Sequence, residues 1–273
     1  MFELLNYTFF QNALIGTLLI GISCGLIGTY IVAKRMVFIS GGITHASFGG
    51  LGLAYFLGFS PLWGATVFAL VAAFCISYLA NNKRFREDSL IGIFWSAGMA
   101  LGVLFIYLTP GYAPNLLSYL FGNILTVTGG QLIASALLCG MIILFFSRFY
   151  RPLFYLAFDK DYYRTHFIPI APIEWGITAL IALTIVLCMK LAGIILVISY
   201  LTMPQAIAGM FYKNFTRQLW CSTLISCIGS IIGLFASVPL NTPSGVTIVL
   251  VFLTVFITCY IYKIVKTRST RQK

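Results

Sequence analysis

Charge is scarce in this chain of 273 residues: 8% are charged, six are acidic and two are histidine. A soluble domain carries about 25% charged residues, so this composition excludes a soluble enzyme and indicates a chain that lives in lipid. No GxxxxGK[ST] run is present to cradle nucleotide phosphates, so any ATP that drives this protein must be hydrolysed by another subunit. No HExxH pair occurs, and no grouping of nucleophile, base and orienter, which removes metalloprotease and membrane-hydrolase readings. The seven cysteines (24, 75, 139, 188, 221, 227 and 259) form no CxxC pair. Scattered singly through apolar segments, they read as small buried hydrophobes rather than disulfides or a zinc cluster. A basic n-region ahead of the first apolar run is missing too, the first basic residue being Lys34, so the first span is expected to be retained.

What the chain has in excess is apolar surface, with 60% hydrophobic residues and a mean hydropathy of +0.99. At roughly 20 residues per span this length allows about eight to ten helices and leaves nothing for a soluble domain. The apolar runs predict spans at 9–33, 40–58, 61–80, 89–109, 129–147, 173–189, 191–210, 218–237 and 244–262. The net charge of +11 invites a nucleic-acid reading, but every basic residue except Lys190 falls in alternate loops or the tail, which is the positive-inside pattern of membrane topology. Nine spans put the N-terminus outside and the basic tail, 263–273, inside. The sixth and seventh spans read as two helices with a tight turn at 190–193 rather than one bent helix. The expected fold is therefore an all-α polytopic membrane protein, a single domain in a lipid bilayer with no nucleic-acid partner.

Small residues four apart, Gly21 and Gly25, Gly98 and Gly102, Gly229 and Gly233, predict close helix crossings. In the short loop 81–88, Asp88 or Ser89 is expected to cap the fourth helix, with Glu87 and Asp88 suiting its positive end. The segment 115–125 is too short to span and reads as an interfacial or re-entrant helix. Segment 147–172 is the one loop large enough for a docking surface, and its His166 reads as solvated.

The stretch SGGITHASFGG at 40–50 holds His45, the histidine within a hydrophobic run. An ionisable side chain at membrane depth is expensive to keep and marks a functional site by default; the competing reading is a neutral imidazole that ties two helices together. Ser40, Thr44, Ser47, bound water or a second His45 from a partner copy are the available completions of a metal shell. The Pro204 break followed by Gln205 admits two readings, freed carbonyls lining a cavity or a packing kink. Met203, Cys24 and Cys188 are soft donors that read as core.

Five segments in order carry a resemblance: REDSLIGI at 86–93, NLLSYLFGNIL at 115–125, AFDKD at 157–161, KLAGIILV at 190–197 and PSGVTIVL at 243–250. On them the chain resembles the permease subunits of zinc/manganese/iron-type ABC transporters over about residues 9–262. That resemblance implies a homodimer in the cytoplasmic membrane of a prokaryote, alternating its access while a separate ATPase subunit hydrolyses ATP. It also implies an extracytoplasmic metal-binding protein, and a divalent transition metal (zinc, manganese or iron) as substrate, with no permanently bound cofactor. Phe158, Asp159 and Asp161 fall on the family's cytoplasmic coupling motif, where Lys160 replaces a proline. The family's second helix carries an Asp four residues before its His; here the His is His45 and the earlier position is Gly41. The expected pathway is thus His45 with Gly41, Thr44, Ser47 and Gly49. A permease for a metal chelate or cobalamin-like cargo, which needs no intramembrane ligand, and an ATPase-independent channel or secondary transporter remain as alternatives.

Overall fold

The computed structural model describes residues 6–81, 85–110, 122, 124–158 and 170–271, with side chains described to residue 267 in the last helix. Ten helices and no strand occur among them: α1 (Thr8–Ala33), α2 (Val37–Phe56), α3 (Pro61–Asn81), α4 (Glu87–Leu108), α5 (Gly129–Arg148), α6 (Tyr150–Phe158), α7 (Ala171–Ala192), α8 (Ile194–Phe211), α9 (Phe215–Ser237) and α10 (Ser244–Arg271). All but α6 are long and apolar enough to cross a membrane, nine among the described residues. In lipid every backbone N–H and C=O must be satisfied inside the protein, which is why such apolar runs become helices.

The expected spans are present with shifted ends. Helix α2 starts at Val37, so the whole stretch 40–50 lies inside it. Helix α10 continues to Arg271, and Lys263 and Lys266 extend that helix instead of opening a separate tail. The expectation that Asp88 or Ser89 caps α4 is corrected. The cap position is Arg86, without a side-chain cap bond, and Glu87 and Asp88 sit in the first turn. The helix begins a residue or two earlier than the hydrophobic run because the two carboxylates are favourable at its positive end once inside it. The interfacial helix expected at 115–125 lies almost wholly outside the described residues; its end forms the 3₁₀ turn Ile124–Thr126. Asp159, Asp161 and His166 also lie outside them.

Helices α7 and α8 are indeed two, joined by the single residue Gly193 at φ 86° and ψ 163°. That conformation is essentially restricted to glycine, so the break between the two helices takes a single residue.

All three glycine pairs lie at helix crossings. A Cβ on Gly25 would fall 2.6 Å from Thr223 Oγ1 of α9, and one on Gly233 would fall 2.6 Å from Ile248 Cα of α10. Of these three pairs the tightest joins α2 and α4, where a Cβ on Gly98 would overlap Ala46 Cα and lie 2.6 Å from the His45 carbonyl oxygen. Backbone cannot yield as a flexible side chain does, and overpacking already costs about 1–3 kcal/mol in an ordinary core. Gly98→Val is accordingly expected to cut the yield of folded protein in detergent several-fold and to lower its melting temperature; an unchanged melting curve would contradict this crossing.

Of the two readings of Pro204, packing holds. Proline has no N–H, so the Tyr200 carbonyl one turn earlier loses its helical partner. Gln205 Nε2 supplies it, donating to Tyr200 O at 3.1 Å and to Cys24 O of α1 at 3.0 Å. Gly28 makes room for that amide, since a Cβ there would collide with Nε2.

Candidate functional site

His45 is the ninth residue of the 20-residue α2, about 12 Å along a helix that rises about 1.5 Å per residue. It therefore sits near mid-depth of a span. Two stripes run along α2, because residues three and four apart share a helix face. Ser40, Thr44 and Ser47 form one and are fully buried. Gly41, His45, Gly49 and Gly52 form the other and face α4.

The hydroxyl stripe is committed to its own backbone. Ser40 Oγ donates to Val37 O at 2.7 Å, Thr44 Oγ1 to Ser40 O at 2.5 Å and Ser47 Oγ to Thr44 O at 2.6 Å. Ser47 also lies 3.6 Å from Met189 Sδ of α7. These hydroxyls point at carbonyls and at α7, away from the glycine stripe that carries the imidazole.

On the α4 face the imidazole is half-buried between two residues one turn apart, Trp95 and Met99. The His45 and Trp95 rings stack with centroids 4.2 Å apart at 16°, and His45 Nδ1 lies 3.2 Å from Met99 Sδ. The same indole fills the place where a side chain at position 41 would begin: a Cβ on Gly41 would lie 2.7 Å from Trp95 Cζ3. Gly49 is a crossing position, its Cβ site 2.9 Å from the Gly98 carbonyl. Trp95 keeps 36% of its surface exposed, so the trio lies at the open edge of the α2–α4 pair.

Trp95 and Met99 were not among the residues singled out from sequence. A signal was available: tryptophan favours the membrane interface, and Trp95 lies well inside its span, at the same depth in α4 as His45 in α2. Among the described residues no group of three or more His, Cys, Asp or Glu side chains is arranged to hold a metal.

At the loop end of the bundle, α6 is pinned to the start of α9. Tyr150 Oη and Thr216 Oγ1 are 2.6 Å apart, and the Phe215 ring contacts Tyr150, Phe154 and Phe158 at centroid distances of 6.0, 5.8 and 5.9 Å. Asn214 caps α9, its side-chain oxygen accepting from Thr216 N and Arg217 N at 2.9 and 3.4 Å. Phe158 remains 56% exposed at the tip of this aromatic cluster. Glu87 and Asp88 stay in the first turn of α4, Glu87 half-buried and Asp88 exposed.

The sequence profile of the ABC 3 transport family matches residues 6–263. The chain belongs to the ABC 3 transport family. Membership in the ABC 3 family makes it a membrane-embedded transport component rather than an enzyme, and it implies an ATPase and a substrate-binding protein as partners. Two relatives show the range of the likeness. An uncharacterized membrane protein of Synechocystis is 42% identical over 92% of this chain and 89% of its own. The manganese transport system membrane protein MntC of Halalkalibacterium halodurans is 33% identical over 95% and 89%. Among solved structures, PsaBC from Streptococcus pneumoniae in complex with Fab superposes with a TM-score of 0.82 at 29% identity, over 94% of both chains. The resemblance of five segments to ABC permeases thus extends to the whole bundle.

Proposed function

We infer that this ABC 3 family chain is the permease subunit of an ATP-driven importer for a divalent transition metal (zinc, manganese or iron). It would work as a homodimer in the cytoplasmic membrane with the basic loops and tail inside. The observation that carries the reading is His45: an imidazole at mid-depth in an otherwise uncharged helix, stacked at an open edge of the bundle and tied across to α4 by a single hydrogen bond to a thioether. A buried structural histidine would use both ring nitrogens on strong helix acceptors, whereas this half-buried one stacks on an indole and donates Nδ1–H to a thioether, a weak acceptor. The names of the relatives support a metal cargo, MntC being a manganese system membrane protein. A chelate or cobalamin pathway would need no such ligand.

Alternating access needs the ATPase to push on a surface that is rigidly tied to the bundle. The α6–α9 aromatic cluster has that character, and it leads directly into Asp159 and Asp161, which we assign with Phe158 to the coupling surface. Asp159→Ala and Asp161→Ala are each expected to lower transport-linked ATP hydrolysis in the reconstituted complex while membrane insertion stays intact. Unchanged hydrolysis in both variants would remove the coupling assignment. The reading as a whole is tested by metal uptake into proteoliposomes that hold the permease and its ATPase, with the binding protein supplied outside. Uptake must require ATP; uptake that persists without the ATPase identifies a channel or secondary transporter instead.

A further inference from the structure

We propose that Met99 is the second protein donor to a metal held by His45, and that this imidazole–thioether pair selects zinc over manganese. The inference rests on the metal-transport reading above and deepens it.

The geometry is that of two donors on one ion. Zinc sits about 2.0–2.1 Å from an imidazole nitrogen and about 2.3 Å from a thiolate sulfur, so an imidazole and a neutral sulfur held no closer than that, at about 90° or more, lie roughly 3.1 Å or more apart. His45 Nδ1 and Met99 Sδ are 3.2 Å apart. A thioether carries no hydrogen, so this contact is a hydrogen bond from Nδ1–H to Sδ; moving the ring proton to Nε2 leaves two donor atoms side by side, and a small side-chain rotation admits an ion to both. Trp95 stacks on the imidazole one turn before Met99 and fixes the ring plane, while the Nδ1–H to Sδ hydrogen bond turns Nδ1 toward the sulfur.

Oxygen donors are withheld from the same place. Position 41, one turn before His45, has no side chain, and the Trp95 indole occupies the space where one would start. The hydroxyls of Ser40, Thr44 and Ser47 donate to carbonyls on the opposite stripe. Carboxylate, carbonyl and water oxygens suit manganese, whereas imidazole and thioether suit zinc and its softer neighbours. Both protein donors are neutral, so they hold a cation loosely, as a conduit that must release its cargo requires. The remaining coordination positions open toward the exposed edge of the trio, where water or a second copy of the chain completes the shell.

Two measurements test this. In proteoliposomes of the full transporter, zinc and manganese are offered together and the uptake ratio is read. Wild type should favour zinc, and Met99→Leu, which nearly conserves volume, should lower the ratio about tenfold, the lower end of what losing even an outer-shell partner does to metal affinity. In parallel, zinc-edge X-ray absorption on the selenomethionine-labelled full-length permease should show a zinc–selenium path that disappears in Met99→Leu; the label separates this contact from the seven cysteines. A wild type that takes up neither zinc nor manganese removes this proposal, and one that also takes up no iron removes the metal-transport reading with it. Metal uptake with no zinc preference, or an unaltered ratio in Met99→Leu together with no zinc–selenium path in wild type, overturns the role of Met99 and leaves the metal-transport reading standing.

Discussion

His45→Ala is expected to lower ATP-driven metal uptake about 100-fold, since loss of outer-shell partners alone costs metal sites 10–100-fold in affinity or activity and His45 is an inner donor in the proposed pathway. Its neighbours on α2 do not substitute for it. Thr44 and Ser47 are close in sequence but sit on the other stripe with their hydroxyls engaged, and Gly41 offers no side chain. The fold should survive the change, because the imidazole is only half-buried and the α2–α4 contact is made by glycine backbones at Gly98 and Gly102 rather than by the ring. Uptake of zinc, manganese and iron by proteoliposomes checks the first point, and a monodisperse gel-filtration peak checks the second. Undiminished uptake of every metal would take His45 off the pathway.

The second large effect concerns the carboxylate that metal-type permeases carry at the place of Gly41. Restoring it as Gly41→Asp is expected to damage the protein rather than improve it. The new Cβ would lie 2.7 Å from the Trp95 ring, and overpacking of this kind costs about 1–3 kcal/mol. An Asp at the centre of a span adds roughly 2.5–3.5 kcal/mol on insertion scales. Together these are a large fraction of the roughly 5–15 kcal/mol that typically separates a folded domain from its unfolded chain, so the single variant should show sharply reduced folded yield. Trp95→Ala opens the space. In the double variant Gly41→Asp/Trp95→Ala the carboxylate and imidazole stand one turn apart on the same face, an N/O pair that favours manganese more than an N/S pair does. The double variant should therefore recover yield relative to Gly41→Asp and move the zinc-to-manganese uptake ratio toward manganese. A double-mutant cycle on thermal stability isolates the clash between the introduced side chain and the Trp95 indole. A Gly41→Asp single variant as stable as wild type would show that the indole does not occupy the position.

Much of the architecture was legible because lipid imposes one rule on the backbone. Each apolar run long enough to cross must become a helix, and the nine expected spans correspond to nine helices whose ends differ by a few residues, except that the last runs on to Arg271. The break between α7 and α8 was legible because only nine spans keep the basic residues in alternate loops; the structure adds that Gly193 makes it, in a backbone conformation open to glycine. The end of α4 was read less well. Capping preference pointed to Asp88 or Ser89, but the helix took both acidic residues into its first turn, a choice between two favourable placements of the same charges.

The site was legible on one helix and hidden on the other. His45 announced itself because an ionisable group in an apolar run has no cheap explanation. The fivefold match to metal-type permeases gave its class, and the family membership of residues 6–263 agrees with it. What the sequence by itself determined, then, is the set of apolar runs that become spans, the kind of protein, and the helix that carries the imidazole; it grouped Thr44 and Ser47 with His45, which the structure separates onto two stripes. Only the tertiary structure decided what stands opposite: that α4 approaches closely enough, through Gly98 and Gly102, to lay Trp95 over His45 and over the vacant position of Gly41, and to bring the Met99 sulfur to 3.2 Å from Nδ1. The reason is physical. Helix periodicity fixes which residues of one helix share a face, but the pairing of faces depends on how two surfaces fit, and a tryptophan or methionine in a chain so apolar looks the same in the core, in lipid or against a site.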